Sequence, residues 1–130
     1  MPLSNLEHYT QHYSDVLNYL SSLCREAADK WYHDPLTGER IFLNKGERFA
    51  LMHSELAEAF EGERKDLMDS HLPKRRAVEV ELADLLIRIF DYAGEYRLNL
   101  GDTVFEKLAY NATREDHTNK ARLGPNGKKC

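Results

Sequence analysis

Apolar side chains recur along most of this chain at intervals of three and four residues, the spacing that lines one face of an α-helix. The first such stretch begins at a Ser4-x-x-Glu7 capping box and is predicted to run to about Trp31, before turn-forming residues. The pattern predicts an all-α protein, a compact four-helix bundle. The other three predicted helices run from about Lys45 to Lys65, from Leu72-Pro73 to near Gly101, and from a cap at Asp102 and Thr103 to about Arg114.

Size and composition are those of a soluble globular protein. The chain has 130 residues, of which 42% are hydrophobic and 31% charged, and it holds no apolar run long enough to cross a membrane. Its two cysteines, Cys24 and Cys130, do not suggest a disulfide framework, and no secretory signal is recognised. We therefore expect one helical domain over residues 1–116, a mobile basic tail over 117–130, and a cytoplasmic protein that does not bind membranes.

Charge is distributed unevenly along the chain. The net charge is −4, yet residues 107–130 carry six basic and two acidic residues. An acidic chain lacks the basic surface on which sequence-independent nucleic-acid binding depends, so no stable nucleic-acid binding is expected. The basic end could hold a polyanionic small molecule near an acidic metal site, and a solvated tail explains it equally well.

Two acidic pairs stand on neighbouring predicted helices, Glu55-x-x-Glu58 and Glu81-x-x-Asp84. Residues three apart project from one helical face, and both pairs border the apolar stripe of their helix. Four carboxylates brought together repel one another unless a multivalent cation neutralises them, and oxygen ligands suit Mg²⁺ or Mn²⁺. The two pairs therefore predict a metal site.

Other interpretations of these residues fit less well. A carboxylate-bridged di-iron bundle requires Glu-x-x-His pairs, which none of the six histidines completes, and no His/Cys cluster has zinc spacing. His33-Asp34 lacks the partner histidines of metal phosphohydrolases. Either acidic pair alone is typical of an exposed helix surface, but two pairs on adjacent helices favour a functional site.

These motifs resemble those of the MazG-like, all-α nucleoside triphosphate pyrophosphohydrolases. That family carries E-x-x-E, a spacer and E-x-x-D, and the resemblance covers about residues 44–117. A downstream Lys107-x-x-x-Asn111-x-x-Arg114 is similar to the family's phosphate-binding stretch, and its three side chains are predicted to share one face of the fourth helix. The short format is most similar to small phage or mobile-element members, which would work in the host cytoplasm.

The resemblance implies an enzyme that hydrolyses (deoxy)nucleoside triphosphates between the α- and β-phosphates, releasing a monophosphate and pyrophosphate, for dNTP pool adjustment or housecleaning. Mg²⁺, or Mn²⁺ in its place, would bind both acidic pairs, and Glu55 or Glu58 would be the general base. Lys107, Asn111 and Arg114 would hold the phosphates.

The resemblance also suggests roles outside the metal ligands. Arg88 and Asp91 are expected to be a pair that orients the ligands, or else an exposed ion pair. Trp31 and His33 are expected to bind the base. A homodimer or homotetramer is expected, as in small family members.

Two alternatives stay open at this stage. The chain could cleave an alarmone such as ppGpp, or it could be a non-catalytic helical module that senses nucleotides or binds a basic partner. The preferred base and sugar are not assigned.

Overall fold

The computed structural model describes the backbone of residues 6–129 and the side chains of residues 10–129, and this part of the chain is helical without extended strands. No helix in it is long and apolar enough to span a membrane. The chain divides into a central unit, Tyr19–Leu98, and a terminal unit formed by the residues on either side of it. The helices are α1 (Leu6–Ala27), α2 (Lys45–Arg64), α3 (Ala77–Glu95), α4 (Leu100–Ala112) and α5 (Asn119–Leu123), with 3₁₀ turns at Asp29–Tyr32 and Glu115–His117.

Helices α2 and α3 of the central unit pack against each other as an antiparallel pair. Near the loop that joins them, a Cβ on Gly62 would lie only 2.9 Å from the Cβ of Ala77, so the two backbones approach closely there. At the other end of the pair, Arg48 Nη2 donates to Asp91 Oδ2 at 2.6 Å. This register places the turn of α2 that carries the first acidic pair beside the turn of α3 that carries the second.

The second half of α1 approaches the end of α3 through small residues. Ser21 is buried, and a Cβ on Gly94 would collide with the Ser21 carbonyl oxygen and with the Cβ of Arg25. Beside this crossing, Arg25 Nε donates to Glu95 Oε2 at 2.5 Å. The missing side chain at position 94 therefore permits the close approach of the two helices.

The first helix ends earlier than predicted. It stops at Ala27, and a 3₁₀ turn continues the chain to Tyr32, whose side chain is buried. The guanidinium of Arg25 lies 3.7 Å from the centroid of the Tyr32 ring. Burial of this ring favours the tighter turn, so Trp31 lies on the turn and not on the helix. The predicted capping box at Ser4 lies outside the described residues.

The third helix is shorter than predicted at both ends. It begins at Ala77 because Asp69 Oδ2 accepts a hydrogen bond from the backbone N–H of Leu72 at 2.6 Å and holds that segment in a turn. It ends at Glu95, and Arg97 then takes a left-handed conformation with φ of +54°, which stops the helix before Gly101. The second helix, by contrast, begins at the predicted residue and ends one residue early.

Helix α4 of the terminal unit has a different cap from the predicted one. The Asn99 side chain accepts a hydrogen bond from the backbone N–H of Asp102 at 3.1 Å, so the helix begins at Leu100. Asp102 and Thr103 therefore lie inside the helix, and the hydroxyl of Thr103 donates to the Asn99 carbonyl at 2.6 Å. The capping role predicted for these two residues was wrong, because the neighbouring asparagine occupies the cap.

Residues beyond 116 share the terminal unit with α4, whereas one domain over residues 1–116 and a separate tail were expected. The segment contains α5, and Lys128 Nζ lies 2.7 Å from Asp116 Oδ2. In the same unit, Gly101 packs so closely on Ser14 that a Cβ would collide with its carbonyl oxygen. The mobility of the tail stays a prediction.

Few large apolar side chains are buried in the part of the chain that the structure describes. The buried hydrophobic residues there are Tyr32, Ala59 and Ala93. Phe60 on α2 is 65% exposed and Leu86 on α3 is 51% exposed. The α2–α3 pair therefore presents apolar surface that the described residues of the central unit do not cover.

Candidate functional site

The antiparallel register of α2 and α3 brings the two acidic pairs together. Carboxylate oxygens of Glu55, Glu81 and Asp84 all lie within 4.8 Å of one another. Glu55 is buried, Glu81 is half-buried and Asp84 is exposed. Glu58 is not part of this group of three, although its charge acts on Glu81. The structure therefore brings three of the four predicted carboxylates together, and the place of Glu58 among the ligands and metal binding by the cluster stay predictions.

The electrostatics of this cluster are those of a site with excess negative charge. Burial raises the pKa of the Glu81 carboxyl, and the charges of Glu58, Glu55 and Asp84 raise it further. In the described part of the chain, Arg88 is the one cation paired with the cluster, through Nε to Glu55 Oε1 at 2.6 Å. The three clustered carboxylates offer oxygen ligands and are paired with one guanidinium, a set that fits a hard divalent cation such as Mg²⁺ or Mn²⁺.

Arg88 and Asp91 do not pair with each other, contrary to the predicted ion pair. Arg88 holds Glu55, whereas Asp91 accepts hydrogen bonds from Arg48 at 2.6 Å and from the Tyr32 hydroxyl at 2.9 Å. The antiparallel register explains the difference, because it sets the end of α3 beside the beginning of α2. Arg88 therefore contacts a predicted metal ligand, and Asp91 belongs to a separate buried network.

This network surrounds the buried Tyr32. Burial raises the pKa of the Asp91 carboxyl, while the Tyr32 hydrogen bond and the charges of Arg48 and Arg25 oppose the rise. Burial and Asp91 both raise the pKa of the Tyr32 phenol. The guanidiniums of Arg25, Arg40 and Arg48 lie 3.7, 4.8 and 5.1 Å from the ring centroid. The network thus fixes the 3₁₀ turn against α2 and α3.

A cavity of about 440 Å³ adjoins the carboxylate cluster. Its volume is within the range of small-molecule binding pockets. Arg88 connects the two features, because it lines the cavity and also donates to Glu55. Arg48 and Asp91 are the other polar lining residues, and the apolar walls are Trp31, Leu43, Leu51 and Met52.

The polar lining of the cavity has more unused donors than acceptors. Arg48 is 8% exposed at its side chain, and among the described residues its buried Nη1 has no hydrogen-bond partner. Among the described residues, Glu55 is the one acceptor of Arg88, and Arg88 donates to it through Nε alone. Each oxygen of Asp91 already accepts one hydrogen bond, from Tyr32 or Arg48. A ligand with acceptor groups therefore complements this lining.

Of the two residues predicted to bind a base, Trp31 lines the cavity and His33 does not. Trp31 is 65% exposed. The ring of His33 lies against its own 3₁₀ turn, with Nδ1 3.0 Å from the carbonyl oxygen of Asp29. His33 follows the 3₁₀ turn with an extended backbone, so its ring does not continue the turn that carries Trp31.

The predicted phosphate-binding residues Lys107, Asn111 and Arg114 lie in the terminal unit. They do not share one helical face as predicted, because α4 ends at Ala112 and Arg114 has an extended backbone. Arg114 donates through Nε and Nη2 to the two carboxylate oxygens of Asp116, at 2.9 and 2.7 Å. Phosphate binding by the three residues stays a prediction.

Sequence reasoning did not identify Arg48 and Tyr32, although the spacing of Arg48 contains a signal. Arg48 precedes Glu55 by seven residues and Asp91 follows Asp84 by seven, so each lies two helical turns from an acidic pair on the same face. Tyr32 carries no comparable signal, because its burial depends on contacts between distant parts of the chain.

Comparison of the chain with protein-family models, curated proteins and solved structures finds no match. The resemblance to MazG-like enzymes therefore rests on the motif residues, and the site geometry is the basis for a functional proposal.

Proposed function

We propose that this chain is a Mg²⁺-dependent pyrophosphohydrolase that cleaves nucleoside triphosphates between the α- and β-phosphates. The observation that carries the proposal is the convergence of Glu55, Glu81 and Asp84 beside a cavity of small-molecule size. Hard cations held by carboxylates commonly bind substrate phosphates, and the cavity offers space for the rest of a nucleotide. The E-x-x-E and E-x-x-D spacing, similar to that of the MazG-like family, favours pyrophosphohydrolysis over other phosphate chemistry.

The carboxylates of the cluster and Arg88 divide three roles in this mechanism. Glu55, Glu81 and Asp84 would hold Mg²⁺, which when bound polarises phosphate oxygens and lowers the pKa of water. Arg88 would keep Glu55 oriented through its 2.6 Å hydrogen bond. Glu58 has no hydrogen bond or ion pair of its own among the described residues, so it is suited to accept the proton of the water that attacks the α-phosphorus.

Pyrophosphate is the leaving group in this scheme, and cationic groups would stabilise its charge. Lys107, Asn111 and Arg114 are the proposed ligands of the β- and γ-phosphates. Arg114 would then exchange its carboxylate partner Asp116 for a phosphate, an exchange that the planar guanidinium fork permits.

We further propose that the functional form is a homodimer or homotetramer of helical bundles. The support is the apolar surface on α2 and α3, where Phe60 and Leu86 are more than half exposed. A second copy of the chain would remove this surface from water. Light scattering at micromolar concentration should give at least twice the chain mass, and a monomeric mass would contradict this proposal.

The mechanism is tested by Glu58→Gln, which removes the proposed base and keeps the side-chain size. We expect loss of Mg²⁺-dependent pyrophosphate release with unchanged helical circular dichroism. Glu47→Gln is the matched control, because Glu47 is an exposed residue of the same helix without an ion pair in the described structure. Full activity of Glu58→Gln would contradict its role as the base.

The substrate is tested with a panel of canonical and modified triphosphates and ppGpp, assayed for pyrophosphate release with and without Mg²⁺. Release from triphosphates supports the proposal, and release from ppGpp alone supports the alarmone alternative. Binding without any pyrophosphate release would identify a non-catalytic module and overturn the proposed function.

A further inference from the structure

We infer that the cavity beside the carboxylate cluster binds the base of the nucleotide. It selects bases that carry a keto oxygen where cytosine and adenine carry an amino group, with Arg88 as the specificity-determining donor. This inference rests on the proposed function, which supplies a nucleotide as the ligand. It assigns a substrate class, keto-base nucleotides, to a site whose base preference the sequence leaves open.

The walls of the cavity suit a flat, partly apolar group. Trp31, Leu43 and Met52 offer apolar and aromatic surface, and the exposed indole of Trp31 stands on the 3₁₀ turn that the Tyr32 network fixes. A base can stack on such a ring through either face. A triphosphate chain, which is strongly hydrated and anionic, would gain little from these walls and much from the adjoining carboxylate-bound cation.

The hydrogen-bonding groups of the cavity decide between classes of base. Arg88 lines the cavity and carries Nη donors that no described residue accepts, whereas each oxygen of Asp91 already accepts a hydrogen bond. O4 of uracil and thymine and O6 of guanine are keto oxygens, acceptors that complement a guanidinium. Cytosine and adenine carry an amino group at the same position, which would face the guanidinium N–H groups and leave donors unpaired on both sides.

A direct measurement is available because Trp31 is the only tryptophan in the chain. Its fluorescence reports on the cavity without any need for catalysis. We would titrate the metal-free protein with dUMP and with dCMP, which have the same size and differ at the keto or amino edge. We expect dUMP to bind about tenfold more tightly than dCMP. Equal affinities, or tighter binding of dCMP, would overturn the inference.

Substitution of a cavity donor tests which side chain provides the selectivity. Arg88→Gln should reduce the dUMP preference to less than about threefold, since a neutral amide replaces the unused guanidinium donors. The control Arg75→Gln, at an exposed arginine outside the cavity, should keep the full preference. An unchanged preference in a folded Arg88→Gln variant would contradict the assignment of Arg88 as the selective donor. The comparison of dUMP with dCMP in the unsubstituted protein does not depend on either variant.

The outcome also separates this inference from the proposed function. Pyrophosphate release from triphosphates together with equal binding of dUMP and dCMP would contradict base selection alone. Selective quenching by dUMP without pyrophosphate release from any triphosphate would contradict the proposed enzyme activity and support the cavity as a base site.

Discussion

Replacing Asp91 with alanine should destabilise the protein strongly. In the described structure Asp91 is the one carboxylate paired with Arg48, and the two side chains are 16% and 8% exposed. Removing one partner of a buried ion pair leaves an uncompensated charge and costs about 3–5 kcal/mol. The Tyr32 hydroxyl loses its acceptor in the same variant. We therefore expect the free energy of unfolding to fall by about 4 kcal/mol.

Urea denaturation followed by circular dichroism measures this loss. With an m-value of about 2 kcal/mol per molar urea, the midpoint should fall by about 2 M. Tyr32→Phe, which removes only one hydrogen bond, should lose about 1 kcal/mol. The double variant Arg48→Met/Asp91→Leu removes both charges and should recover most of the stability. A loss below about 1 kcal/mol in Asp91→Ala would refute the reasoning, because it would mean that Arg48 reaches water.

Three further changes test other parts of the structure. The pKa of Glu81 is raised in the folded protein. The protonated carboxyl therefore stabilises the fold at pH values below the unfolded pKa, and this stabilisation is lost as the pH rises through the folded pKa. Glu81→Gln should remove this loss, so the variant should be more stable than the unsubstituted protein at neutral pH in EDTA. A pH profile of urea denaturation that does not change would contradict repulsion among the carboxylates. Gly94→Ala should lower the unfolding free energy by about 1–3 kcal/mol, because its Cβ would collide with Ser21, and a melting temperature equal to that of the parent would argue against the close crossing. Asn99→Ala should cost about 1 kcal/mol in urea denaturation, and a clearly larger effect of Thr103→Ala would restore the cap predicted at that residue.

The helices were predictable from apolar periodicity where local sequence and packing agree. The second helix begins at Lys45 as predicted, since Asn44 caps it through a hydrogen bond to the backbone N–H of Glu47. The start of α3 was not predictable, because Asp69 holds a turn that the apolar pattern does not reveal. Apolar periodicity identifies the face of a helix, but side-chain hydrogen bonds decide where the helix starts.

The acidic cluster followed from sequence because its geometry depends on one helix pair. The i, i+3 spacing fixes each pair of carboxylates, and an antiparallel hairpin needs only one register to bring Glu55, Glu81 and Asp84 together. The partners of Asp91 and Arg88 were missed, because they depend on which turns of α2 and α3 face each other. That information lies in tertiary packing and not in the spacing within either helix.

Arg88 connects the carboxylate cluster with the cavity through different atoms of one side chain. Its Nε contacts Glu55, and the same guanidinium lines the cavity, so a ligand that displaces Arg88 changes the charge and orientation at Glu55. Thermodynamic linkage makes this effect reciprocal. If a ligand in the cavity changes the affinity of the carboxylates for a cation by some factor, the cation changes the affinity of the cavity for the ligand by the same factor. One side chain would therefore make the proposed ligand occupancy of the cavity and the proposed cation occupancy of the carboxylate cluster interdependent.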